Sequence, residues 1–359
     1  MARKLLRMVK TMPESGRLRF GILGCGSASI PVCEAIANSH LTELMAVYDV
    51  NHDLANDIGQ RFKVRKMESL EGLLTDSTVD VVYVAVPHYL LAPLTRQVLE
   101  AGKHALTEKP LAISLEEVDQ LIELSPAGRL GVFYEMRYAP AHPVAHQLIQ
   151  GGAIGNIVGV QIQTLIDKPL TYWQSGYTGR SINPWRGIKV QAGGGVVLMN
   201  TSHLLDALFH ITGLNVVTVS AEVGNLLSHV EVEDMAAATL HFDNGAIGSL
   251  IAGAHISGAD REESCHLYGT EGQLRLPDPY GSDPLRIYLK RPWGDFAAEQ
   301  WHSIPTEPVS VHKLAIEDFA LAVQSGGCVP IDAHAARKVL AAVLAIYQSS
   351  AQKSTFTIS

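Results

Sequence analysis

The run Arg19-Phe20-Gly21-Ile22-Leu23-Gly24-Cys25-Gly26-Ser27-Ala28-Ser29-Ile30 constrains this chain more than any other stretch. An apolar strand breaks at Gly24 and restarts as a helix near Ser27, and a strand-turn-helix of this kind is shaped to hold a phosphate. Gly24 permits the tight turn, and Gly26, lacking a Cβ, lets a pyrophosphate approach the backbone. The helix then points free N–H groups and the positive end of its dipole at that charge. Ser27, Ala28 and Ser29 complete the loop, with Ser29 in the slot of the third glycine of G-x-G-x-x-G. A turn that binds nothing is the plainer reading of two glycines at a strand end.

A second strand, Leu44-Met45-Ala46-Val47-Tyr48, ends in Asp49. A carboxylate about 20 residues after such a loop accepts hydrogen bonds from an adenosine ribose diol and repels a 2′-phosphate. No Lys or Arg follows among Val50, Asn51 and His52, which favours NAD over NADP. The alternative is that Asp49 merely caps the next helix.

At 359 residues the chain exceeds what one core usually supports, so two domains are expected. No apolar run reaches the roughly 20 residues of a membrane span. A net charge of −8 argues against a nucleic-acid partner, which needs a basic face. Four scattered cysteines, Cys25, Cys33, Cys265 and Cys328, fit reduced thiols and a cytoplasmic setting. Residues 1–17, with Arg3, Lys4, Arg7, Lys10 and Arg17, read as a basic arm, since Arg7 interrupts any apolar signal-peptide core.

From Leu18 to Phe133, strands at Leu18–Leu23, Leu44–Tyr48, Val79–Val86, His104–Leu106 and Leu130–Phe133 alternate with helical patterns. That alternation predicts an α/β domain over 18–137 whose parallel sheet is covered on both faces, with ligands at the carboxyl ends of its strands. Those ends carry Val86-Pro87-His88, then Glu108-Lys109-Pro110, then Glu135, all candidates for cofactor contact. Over 138–359 the pattern becomes β-rich: 157–167, 217–223, 234–242, 246–254, 263–269 and 273–276, with Asp243-Asn244-Gly245 as a hairpin turn. This predicts a large, mostly antiparallel sheet with one open face, suited to a homodimer or homotetramer. Helices are expected at 143–150, 201–211, 311–325 and 333–350, the last packing back on the first domain.

The glycine loop, Asp49, Glu108-Lys109-Pro110, Arg137-Tyr138, Trp185-Arg186 and Gly193-Gly194-Gly195 followed by His203-Leu204-Leu205-Asp206 together resemble the Gfo/Idh/MocA oxidoreductases, from about Arg19 to the C-terminus. The resemblance implies a Rossmann domain joined to an α/β domain whose open sheet forms a subunit interface, and NAD(P)-linked chemistry on a sugar or cyclitol hydroxyl. It also implies that Lys109 contacts the nicotinamide ribose and the substrate, that His203 exchanges the hydroxyl proton, and that Trp185 and Arg186 approach the nicotinamide. Two departures stand out. The family's strand-end Thr-Pro-Asn with a following His is here Val86-Pro87-His88 and Leu91, and the aspartate that the family places four residues before the catalytic His is Met199.

Oxidising a secondary alcohol sends a hydride to nicotinamide C4 and needs a base for the hydroxyl proton. His203 suits that role near neutral pH, and the alternative is a helix-start His bonded to backbone. Lys109 acts either as a proton relay or only as an electrostatic partner of the oxygen, unless it merely pairs with Glu108. Asn200, Asp206 or a tyrosine remains to orient His203. The insert from Asp167 to Arg180 mixes aromatics and donors as sugar sites do, so Lys168, Tyr172, Tyr177 and Arg180 join Lys109, Asn200 and His203 as substrate candidates, a surface loop or dimer contact being the alternative. His142 and His146, four apart, have no third ligand motif nearby and read as solvated helix residues, and the chemistry requires no metal. Three functions follow: an NAD-dependent dehydrogenase or reductase, a redox-neutral glycosidase or lyase that oxidises its sugar transiently, and a non-catalytic sugar or NAD sensor.

Overall fold

The computed structural model describes residues 16–125, 128–259 and 261–358. Most of the expected basic arm, residues 1–15, lies outside them.

The first sheet is built from β1 (Leu18–Leu23), β2 (Thr42–Tyr48), β3 (Arg65–Lys66), β4 (Val81–Val84), β5 (His104–Glu108) and β6 (Leu130–Phe133), in the order β3-β2-β1-β4-β5-β6. Every neighbour pair is parallel. Strands covered on both faces need apolar residues at every position, which is why Phe20, Ile22 and Val81 to Val84 are all buried. The strand order reverses between β1 and β4, and this opens a crevice at their carboxyl ends. The glycine turn, Asp49 and Val86 surround it.

The second sheet comprises β7 (Ile157–Ile166), β8 (Val216–Gly224), β9 (Met235–Phe242), β10 (Ile247–Ala254), β11 (Arg261–Gly269), β12 (Gly272–Leu276), β13 (Leu285–Leu289), β14 (Trp301–Ile304) and β15 (Phe356–Thr357). Their order is β14-β13-β12-β11-β7-β10-β9-β8-β15, and only β7 and β10 pair in parallel. The β9–β10 hairpin turns where Asp243-Asn244-Gly245 places it, with Gly245 at φ 87° and its N–H donating to Phe242 O at 2.9 Å. Alternation leaves Ile247, Ser249 and Ile251 of β10 on an uncovered face.

The chain's return to the first domain is made chiefly by the helix Val311–Gln324, whose Ile316, Phe319 and Ala320 join the core around Phe20 and Ile22. Gly131 of β6 accommodates this helix, since a Cβ there would lie 2.7 Å from the Phe319 ring. The last helix, Ala333–Gln352, lies mainly under β8, where Ser349 and Ser350 accept the Ala221 and Val223 N–H groups. It also packs on the first domain, against the helix Leu115–Leu124 and β6, with Arg337 paired to Asp119.

Candidate active site

Gly24 holds φ 97°, and a Cβ there would sit 2.2 Å from Ala85 O, so the turn excludes any other residue. Its neighbour Val86 packs against it. A Cβ on Gly26 would meet nothing within 4 Å, which leaves the backbone open to approach. Ser29 is buried and donates to Gly26 O at 2.8 Å, so it braces the loop from behind. The helix Ser29–Ala37 starts at Ala28 with no side-chain cap, leaving its first N–H groups for an anion. Asp49 accepts from Cys25 N–H and Asn51 N–H, each at 2.7 Å, while Asn51 caps the following helix. Asp49 therefore ties the glycine turn to the end of β2 and keeps a partly exposed carboxylate beside it. This cradle fits a dinucleotide.

The insert of the second domain reaches this same turn. Ser27 and Thr178 share a hydroxyl–hydroxyl hydrogen bond, and Arg180 donates from Nε to Cys25 O at 3.1 Å and pairs with Asp57. Arg180, expected with the substrate, thus lies at the glycine loop.

Lys109, at the end of β5, donates to Met199 O at 2.6 Å. Met199 sits in a π-helical turn, Val197–Thr201, that runs into the helix Ser202–Thr212 carrying His203. Such turns free a carbonyl from the regular ladder, here for the ammonium. The triglycine makes the turn possible: a Cβ on Gly194 would lie 2.1 Å from Tyr347 Oη, and one on Gly195 1.8 Å from Glu233 O. The buried Glu233 accepts from Gly195 N–H at 2.6 Å, Val197 N–H at 3.0 Å and Tyr347 O–H at 2.9 Å. Neither Glu233 nor Tyr347 had a local signal, because each acts through residues far away in sequence.

His203 is only 7% exposed, with Nδ1 3.6 Å from Glu135 Oε2 and its ring edge-on to Tyr134 at 5.7 Å. Tyr280 donates to the other Glu135 oxygen at 2.7 Å. Burial works to raise the Glu135 pKa, but His203, His312 and the Tyr280 hydroxyl together hold it below the usual carboxylate value. The groups expected to orient His203 are engaged elsewhere: Asn200 accepts from Lys168 Nζ at 2.5 Å, and Asp206 takes both arms of Arg137 at 2.6 Å. Tyr172 directs its hydroxyl at Met199 Sδ, 3.6 Å away.

Around this pair, burial pushes Glu108 up to about 7 despite the opposing pull of Lys109, and the Tyr83 hydroxyl donates to it. Burial, then Lys109, push His88 down to about 3, so its ring is neutral and donates from Nδ1 to Ala192 O at 2.7 Å. Pro87 precedes the helix that His88 begins. His88 lies 4.6 Å from Trp185, over which the Arg186 guanidinium stacks at 4.6 Å. Lys168, 2% exposed, has its ammonium 3.7 Å from the Tyr172 ring centre and 5.5 Å from that of the half-exposed Tyr177. Lys168, Tyr172, Tyr177 and Asn200 therefore gather at one place. His142 is buried rather than solvated, because its ring is fixed to Met136 O at 2.6 Å, and His146 stacks on His210.

Fold and glycine turn together define a dinucleotide-binding α/β protein. Residues 18–134 match the oxidoreductase family with NAD-binding Rossmann fold, and residues 143–275 match the GFO/IDH/MocA C-terminal domain. The chain belongs to the Gfo/Idh/MocA oxidoreductases. It is 28% identical over 268 residues to 1,5-anhydro-D-fructose reductase of Ensifer adhaerens, covering 73% of this chain and 75% of that one. It is 26% identical over 276 residues to 2,7-anhydro-N-acetylneuraminate hydratase of Escherichia coli, covering 75% and 70%. A levoglucosan dehydrogenase solved with NADH shares the fold at a TM-score of 0.85 and 23% identity, over 96% of this chain and 99% of that one. Among the described residues no helix is long and apolar enough to cross a membrane.

Proposed function

We propose that this protein is an NAD-dependent oxidoreductase moving a hydride between nicotinamide and a secondary hydroxyl or keto carbon of a sugar, sugar derivative or cyclitol. One observation carries the reading: the Lys109 ammonium is anchored on Met199 O, one helical turn before His203, at the carboxyl edge of the dinucleotide-binding sheet. The bound nicotinamide supplies the acceptor or donor of the hydride. His203 takes the hydroxyl proton in oxidation and returns it in reduction. Lys109 stabilises the negative charge that gathers on the oxygen. His88, Trp185 and Arg186 border the nicotinamide end, and Lys168, Tyr172, Tyr177 and Asn200 form the wall facing the substrate. A sugar is supported by that aromatic and donor-rich wall and by the anhydrosugar reductase among the relatives. We assign the open face of the second sheet to a second copy of the chain.

The test is a panel of sugars, anhydrosugars, inositols and glycosides with NAD and NADP, followed by absorbance of the reduced cofactor. Sustained NADH formation with at least one compound, and a preference for NAD, are expected. Conversion without net NADH identifies the redox-neutral reading, which the hydratase among the relatives favours. A protein that turns over none of them and binds no nicotinamide nucleotide refutes the proposal.

A further inference from the structure

We propose that Glu135, from the first domain, is the positioning residue for His203, whose own helix has Met199 rather than a carboxylate one turn before it. This deepens the reading of the site given above and rests on it. Glu135 follows β6 directly, in the single turn Glu135–Tyr138, and is 7% exposed, as is His203. One carboxylate oxygen is fixed by the Tyr280 hydroxyl at 2.7 Å, and the other lies 3.6 Å from His203 Nδ1. That separation is longer than a hydrogen bond, and contacts of this kind shorten once substrate is seated.

A carboxylate facing Nδ1 does two things. It fixes the tautomer with the proton on Nδ1, so the lone pair available to a hydroxyl is on Nε2, and it stabilises the imidazolium formed when that proton arrives. The proton passes from the substrate oxygen to Nε2 and Glu135 itself gains no proton; the hydride's electron pair would be taken up by the nicotinamide that the glycine turn would hold. Ionising a buried carboxylate is costly unless partners offset the loss of water. Here His203, His312 and Tyr280 do so. Among the described residues, charged or titratable groups near His203 include Tyr134 against its ring, Lys109 through Met199 O, the Arg137–Asp206 pair further along its helix, and Glu108, which acts on Glu135. Among these, Asp206 is saturated by Arg137 and Glu108 is turned to Tyr83, which leaves Glu135 as the carboxylate directed at the ring.

The decisive measurement follows the His203 imidazole by NMR in the full-length protein labelled at histidine, with His203→Ala assigning the signal. In Glu135→Gln the His203 pKa is expected to fall by about one unit or more, the effect of removing an opposite charge at this range. Glu135→Asp, which keeps the charge, is expected to retain most of the native value and keeps the test available if the Gln variant does not fold. In parallel, with the panel compound turned over fastest, Glu135→Gln is expected to lower kcat at least about tenfold, leave NADH affinity and KM near native, and move the acid limb of the pH profile down. An unchanged His203 titration, or a Glu135→Gln defect confined to NADH affinity or KM, overturns the assignment. Full turnover by His203→Ala would instead defeat the proposed function, while the titration still decides the role of Glu135.

Discussion

Arg180 shows how far one side chain can lie from where its sequence neighbourhood points. It closes a donor-rich insert suited to gripping hydroxyls, yet its guanidinium holds Cys25 O and pairs with Asp57 across the domain boundary. Charge-assisted hydrogen bonds of this kind contribute about 1.5–3 kcal/mol each. Arg180→Ala is therefore expected to weaken NAD binding about tenfold, measured by calorimetry, with kcat at saturating NAD near native. A raised substrate KM with unchanged NAD affinity would return Arg180 to the substrate. The turn at Gly24 and the placing of Asp49 beside it were legible because both are set by strand ends. The site near Lys109 and His203 was legible in part: their meeting depends on Met199 O, a backbone atom that no side-chain pattern announces. Glu135 was expected beside the cofactor, and its facing of His203 became visible only once β6 and the helix Ser202–Thr212 were packed together.

At the level of elements, strands buried on both faces announce themselves as unbroken apolar runs, and β1 and β6 lie within the limits that such runs give. β3 spans only Arg65–Lys66, too short for any period to show. β13 and β14 were not expected: Arg286 and Ser303 interrupt their apolar pattern, and each faces the uncovered side or an edge. The triglycine was legible as a motif, and its physical basis is tertiary. Two of its residues leave room for Tyr347 and for Glu233, and Glu233 in turn caps the N–H groups of the π turn. The π turn Val197–Thr201 lies almost wholly before the helix expected from 201, because what shapes it, Glu233 bonded to Gly195 and Val197, is distant in sequence.

Among the described residues, the second sheet presents one face to its own helices and leaves the other uncovered, with Ile247 54% and Ile251 39% exposed among polar neighbours. A wide, partly apolar face of this kind suits the second copy proposed above. Light scattering is expected to give the wild-type chain a mass of at least two copies and Ile251→Glu a lower one; a wild-type monomer would contradict the assignment. The same architecture brings the Lys109 amine of the first domain onto Met199 O, four residues before the His203 imidazole of the second, and the proposal above sets the two against one substrate. That convergence is the central claim, and the most direct test is turnover by Lys109→Ala and His203→Ala alongside their NADH affinity. Each variant is expected to lose about 100-fold or more in kcat while binding NADH as the native protein does. Near-native turnover by both variants would contradict the claim.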